Sequence, residues 1–92
     1  MNTSFRSKAL KRFWTEMDAR ALNPQHIARI RRILIALDDA ENPEDMAFPG
    51  FKLHKLQGDF PPRWSVWVSG NWRITFSIVN GEARDVDYED YH

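Results

Sequence analysis

Five residues in this chain have side chains suited to acid–base and phosphate chemistry. His54 and Arg73 stand in its second half, and Asp90, Tyr91 and His92 lie in the terminal stretch Y-E-D-Y-H. Histidine suits either proton role near neutral pH, because its ordinary pKa is roughly 6.5. A carboxylate such as Asp90 can hold a histidine in one tautomer or act as the base itself. Arg73 offers a permanently charged fork for phosphate oxygens, and Tyr91 can orient or stack a base. Together these groups suffice for metal-free cleavage of RNA. One removes a proton from a ribose 2′-hydroxyl, another protonates the leaving 5′-oxygen, and a cation meets the charge that grows on phosphorus. Which group is base and which is acid is left open by the residues alone.

Those residues need elements to bring them together. A first helix is expected over residues 7–17, with Ser7 as its N-cap and Leu10, Phe13, Trp14 and Met17 recurring at helical spacing. A second is capped by Asn23, opens on Pro24 and carries the stripe Ile27, Ile30, Leu34 and Leu37. Arg29, Arg31 and Arg32 fall away from the centre of that stripe, and His26 is read only as a helix residue. Asn42-Pro43 predicts one short helical turn through Met46, and Pro49-Gly50 breaks the chain.

Beyond Gly50 the apolar period becomes two. F-K-L-H-K-L, W-S-V-W-V-S and W-R-I-T-F-S-I-V read as strands, Ser69-Gly70-Asn71 and Asn80-Gly81 as hairpin turns, and residues 83–88 as a last strand. Residues 4–6 can add a short strand before the first helix. The expected fold is α+β, with two N-terminal helices packed on an antiparallel sheet and residues 1–92 forming one domain. If the apolar face of the sheet meets the helices, the opposite face presents Lys52, His54, Trp67 and Arg73. Such a cationic and aromatic surface suits single-stranded nucleic acid. The tail can then fold back beside it, making His54 and His92 neighbours.

The formal charge of zero conceals alternating blocks. Residues 1–37 hold eight bases and two acids, 38–50 five acids, 51–76 four bases and one acid, and 77–92 one base and five acids. A neutral protein can thus show a basic face to a polyanion. The absence of cysteine excludes disulfides and thiolate metal sites and fits a reducing compartment. No leader or membrane-spanning run is read in the sequence, so a cytoplasmic location is expected.

Taken singly, each residue has an ordinary reading. His54 and Arg73 suit a solvated strand, Trp67 suits packing, and Lys8, Lys11 and Arg12 suit a solvated helix face. Taken together, they carry a resemblance. S-F-R-S-K-A-L-K-R-F, G-F-K-L-H-K-L-Q-G-D, W-S-V-W-V-S-G-N-W-R-I-T-F and the terminal D-V-D-Y-E-D-Y-H closely resemble the HigB toxins, a branch of the RelE superfamily. G-N-W-R-I-T-F with Y-E-D-Y-H is the specific part.

The resemblance implies a RelE-like fold and ribosome-dependent cleavage of messenger RNA in the decoding site, without metal or other cofactor. It implies His54, Arg73, Asp90, Tyr91 and His92 as the catalytic set. Lys8, Lys11 and Arg12 would meet ribosomal RNA, with Lys52, Lys55, Gln57 and Trp67 as further RNA contacts. The implied partner is a HigA-type helix-turn-helix antitoxin, through which alone the toxin would reach operator DNA.

The sequence departs from the family at one position. Where members often read H-x-L-K-G, this chain reads H-K-L-Q-G, so Gln57 replaces a cation. Two rival readings remain. One makes His54, Asp90 and His92 metal ligands. The other makes the aromatic and basic face a non-catalytic module that binds RNA or protein.

Overall fold

Ser7 opens the first helix, accepting a hydrogen bond from the Leu10 amide at 3.2 Å through its hydroxyl. In the computed structural model, which describes residues 3–91, this helix (α1) runs Lys8–Glu16. It stops where Met17 turns left-handed at φ 56°. Leu10 and Phe13 are its buried face. The carboxamide of Asn23 accepts from the Gln25 amide at 2.9 Å and starts a 3-10 turn, Pro24–His26, which leads straight into α2, Ile27–Asp39. Ile30, Ile33, Leu34 and Leu37 bury the inner face of α2. A second 3-10 turn, Pro43–Met46, follows the Asn42-Pro43 signal.

Four strands form one antiparallel sheet in the order β1-β2-β3-β4: β1 His54–Lys55, β2 Trp64–Ser69, β3 Trp72–Val79 and β4 Glu82–Asp90. Val66, Val68, Ile74, Phe76, Ala83 and Val86 join the helix residues in one core. Phe5 bridges Val86 in parallel, so the chain start covers the outer edge of β4. The α+β arrangement agrees with the expectation from the sequence.

Two details differ from it. The F-K-L-H-K-L segment is a strand only at His54–Lys55. Gly50 and Lys52 take positive φ, which turns the chain as it enters the sheet. The alternation nonetheless survives in burial, with Phe51 buried, Leu53 half-buried and Lys52 and His54 exposed. The second difference is a bulge in β4. Thr75 pairs with Asp87 but Ser77 with Arg84, so β4 spends one extra residue there, and Asp85 takes φ 52°. Two remote groups hold that bulge. Ser4 Oγ accepts from the Asp85 amide at 2.9 Å, and Arg63 Nη2 donates to the Asp85 carbonyl at 2.9 Å.

Candidate functional site

The bulge decides which residues of the last strand share a face. Beyond it, Asp87 lies across from Thr75, Tyr88 from Ile74, Glu89 from Arg73 and Asp90 from Trp72. Ile74 belongs to the core, so Tyr88 and Asp90 take the side toward the helices. Glu89 takes the outer side with Thr75 and Arg73, and strand alternation carries Tyr91 there too.

On that outer side, Lys52, His54, Ser65, Arg73 and Tyr91 line one cleft of about 530 Å³, together with Leu53 and Leu56. His54 comes from β1, directly across from Ser65 of β2, which lies across from Thr75 of β3. Tyr91 is tied by its amide to the Asn71 carbonyl at 2.8 Å and stays 40% exposed. Burial pushes its phenol above the ordinary value, and Glu89 pushes the same way, against the opposing pull of Arg63 and Arg73. It therefore remains protonated at neutral pH and can donate a hydrogen bond.

Of the residues singled out from the sequence, His54, Arg73, Tyr91 and Lys52 come together in the cleft. Asp90 is exposed at the end of β4 on the side of Trp72 and Tyr88, and His92 lies outside the described residues. Trp67 lies across from Arg73. Two cations already engage its ring, Lys52 at 4.5 Å and Arg29 at 5.0 Å from its centroid, and its indole nitrogen donates to the Gly70 carbonyl at 2.9 Å. Gln57 and Lys55 line a neighbouring groove with Leu56, Gly58, Asp59 and Pro62. Lys8, Lys11 and Arg12 are exposed on α1 and do not line the cleft. Among the described residues, no group of three or more His, Cys, Asp or Glu side chains gathers as a metal site.

A family model for the RelE-like toxin of the type II toxin–antitoxin system HigB matches residues 3–92. The Endoribonuclease HigB of Proteus vulgaris is 39% identical over 92 residues, covering the whole of both chains. This chain belongs to the HigB-like toxin family. A type II toxin has an antitoxin partner. Among the described residues of this family member, no helix is long and apolar enough to cross a membrane.

Three further polar residues of the toxin sit on the cleft side of the sheet, and the sequence reading passed them over. Arg63 is only 6% exposed, and its Nη2 also donates to Thr75 Oγ1 at 2.9 Å. Thr75 in turn donates to Glu89 Oε2 at 2.5 Å. Nη1 of Arg63 and Nη1 of Arg73 are buried with no hydrogen-bond partner among the described residues. Alternation was the available signal, since Arg63, Ser65 and Trp67 step by two opposite Trp64, Val66 and Val68. Reading the strand as starting at Trp64 hid it.

On the helix side, His26 proves to be more than a helix residue. It is 5% exposed, its Nδ1 shares a hydrogen bond with the Tyr88 hydroxyl at 2.5 Å, and its ring meets those of Trp72 and Tyr88 edge-on.

Proposed function

We propose that this toxin is a ribosome-dependent endoribonuclease that cleaves messenger RNA in the ribosomal A site and so halts translation in the cytoplasm. One observation carries the reading: His54, Arg73, Tyr91 and Lys52, drawn from three segments of the chain, line a single cleft on the open face of the sheet. The name of the Proteus vulgaris relative supports the endoribonuclease part of this reading. His54 and His92 are the proton-transfer groups, and Asp90, exposed at the end of β4 on the side of the sheet away from His54, serves them from the strand end by holding a histidine in one tautomer. One histidine takes the 2′-hydroxyl proton, and the 2′-oxygen attacks the adjacent phosphorus. The bond to the 5′-oxygen breaks, that oxygen is protonated by a second group, and a 2′,3′-cyclic phosphate remains.

Arg73 meets the charge that develops on the phosphoryl oxygens, where a preset donor acts mainly on the chemical step. Tyr91 donates from a protonated phenol. Lys52, Lys55, Gln57 and Trp67 hold the RNA, while Lys8, Lys11 and Arg12 contact ribosomal RNA. The antitoxin is of the HigA helix-turn-helix type, and operator DNA is reached through it. No metal takes part.

Deleting His92 tests this reading. Growth arrest on induction and cleavage on programmed ribosomes should both be lost, while the melting temperature stays close to that of the full chain. Undiminished arrest by the deletion would remove His92 from the chemistry. Full-length toxin that binds programmed ribosomes but never cuts the message would favour the non-catalytic binding module.

A further inference from the structure

Arg63 is a cation taken almost entirely out of water, which is costly unless the charge is well used. Its Nη2 serves two acceptors, the Thr75 hydroxyl and the Asp85 carbonyl, both at 2.9 Å. The Thr75 hydroxyl in turn donates a hydrogen bond to Glu89 Oε2 at 2.5 Å. Glu89 stands directly across from Arg73 in the register. One carboxylate thus lies between two guanidinium groups, joined to Arg63 through a hydroxyl, while Arg73 keeps a buried Nη1 without a partner among the described residues. Buried donors are nearly always satisfied, so a donor left over beside a cleft suggests that an acceptor arrives from outside.

We propose that Arg63 is a positioning residue of the cleft, acting through Thr75 to hold the Glu89 carboxylate back from Arg73, so that the Arg73 guanidinium remains available to a substrate phosphate. The physical reason is competition for one anion. An Arg–carboxylate pair is a strong, often two-pronged contact. Glu89 lies within reach of such a pair with Arg73, which would neutralise the cation that the phosphate needs. The Arg63–Thr75 link engages Glu89 through its Oε2. Two guanidinium groups and one carboxylate leave this trio itself with a net positive charge.

This inference rests on the endoribonuclease reading above, and its test separates the two. Arg63→Met should lower single-turnover cleavage on programmed ribosomes by up to about 100-fold, the scale of a small misplacement at a reacting centre, with much less change in ribosome binding. Thr75→Val, which keeps the shape and Arg63 itself, should do the same by cutting the link. Adding Glu89→Gln to either variant should restore cleavage at least several-fold, because the competing anion is gone.

A role in folding alone would give no such restoration. Wild-type rates in Thr75→Val, or no recovery in the double variants, would overturn the proposal. A second readout does not depend on cleavage: the Tyr91 phenol, faced by Glu89, Arg63, Asp59 and Arg73, followed by NMR. It should titrate at higher pH in Arg63→Met and at lower pH in Glu89→Gln. If wild-type toxin cuts no RNA yet these shifts appear, the endoribonuclease reading fails and the network stands. If the shifts are absent, the network fails.

Discussion

The two sides of the β3–β4 pair use polar residues in opposite ways. On the helix side, His26 and Tyr88 share a hydrogen bond, and Tyr88 stacks on Trp72 with ring centroids 4.4 Å apart. That cluster is closed, since each ring packs on another and the polar tips answer one another. On the cleft side, Arg63, Arg73, Thr75 and Glu89 are also joined in part, but two guanidinium nitrogens have no acceptor among the described residues. The same region thus carries polarity that is fully answered on one side and only partly answered on the other. The contrast teaches that burial and hydrogen bonding alone do not mark a site. Unsatisfied donors beside a cleft are the better sign.

The largest expected effect lies on the open side. Arg73→Ala should cost about 100-fold or more in single-turnover cleavage, with a far smaller loss of ribosome affinity and little change in melting. Equal losses in rate and affinity would make Arg73 an anchor for RNA and blur the contrast.

On the closed side the expectation is reversed. Tyr88→Phe leaves buried His26 without its partner and should destabilise the domain by about 1–3 kcal/mol, measured by chemical denaturation, while cleavage well below the melting temperature persists. The variant also has a signature in pH. Burial is the main cause raising the Tyr88 phenol above its ordinary value of 10.0, with Asp90 adding to it and a hydrogen bond from the Asn23 backbone opposing it. A raised folded-state value means that this stability is fully present below about pH 10 and is lost as pH climbs through the folded value. Tyr88→Phe should therefore flatten the alkaline fall in stability, with the remainder owed to Tyr91. A Tyr88→Phe toxin that stays stable but no longer cuts RNA would show that the closed cluster serves the chemistry as well.

The exposed cations of α1 belong to neither side. Changing Lys8, Lys11 and Arg12 together to Glu should weaken ribosome binding and flatten its salt dependence, leaving the rate at saturation nearly unchanged. An unaltered salt slope would return them to plain solvation. The smallest effect is expected at Gln57. A lysine there gains at most a few kcal/mol of attraction to a phosphate about 4 Å away, against roughly 1 kcal/mol for an amide hydrogen bond. Gln57→Lys should raise single-turnover cleavage several-fold. A slower Gln57→Lys beside an unaffected Gln57→Ala would show that no cation is missing.

Much of the fold was legible in advance. Ser7 and Asn23 cap where their side chains and spacing suggest, and the burial of Leu10, Phe13, Ile30, Leu34 and Leu37 follows the helical period. The strands β2, β3 and β4 follow the period of two and turn at the glycine signals. These features are local, governed by the backbone preferences of a few adjacent residues. The short strand at His54–Lys55 was overestimated, because Phe51 and Leu53 alternate in burial without completing a hydrogen-bonded ladder. Arg63 and His26 were missed for a different reason. Singly they read as a surface arginine and a helix histidine, and only packing against Thr75 or Tyr88 gives them partners 12 and 62 positions away.

The sequence by itself determined the elements, the apolar face of the sheet and the cationic, aromatic character of its other face. Only the tertiary structure decided which of the residues in Y-E-D-Y-H joins that face. A strand that ran on unbroken from Arg84 would turn Tyr88 and Asp90 toward the cleft, since parity alone sets the side. The extra residue at Asp85 reverses that parity and puts Glu89 and Tyr91 there instead. Its cause is not local. The bulge is pinned by the Ser4 hydroxyl from the chain start and by the Arg63 guanidinium from the neighbourhood of β2, and neither can act until the sheet has closed around it.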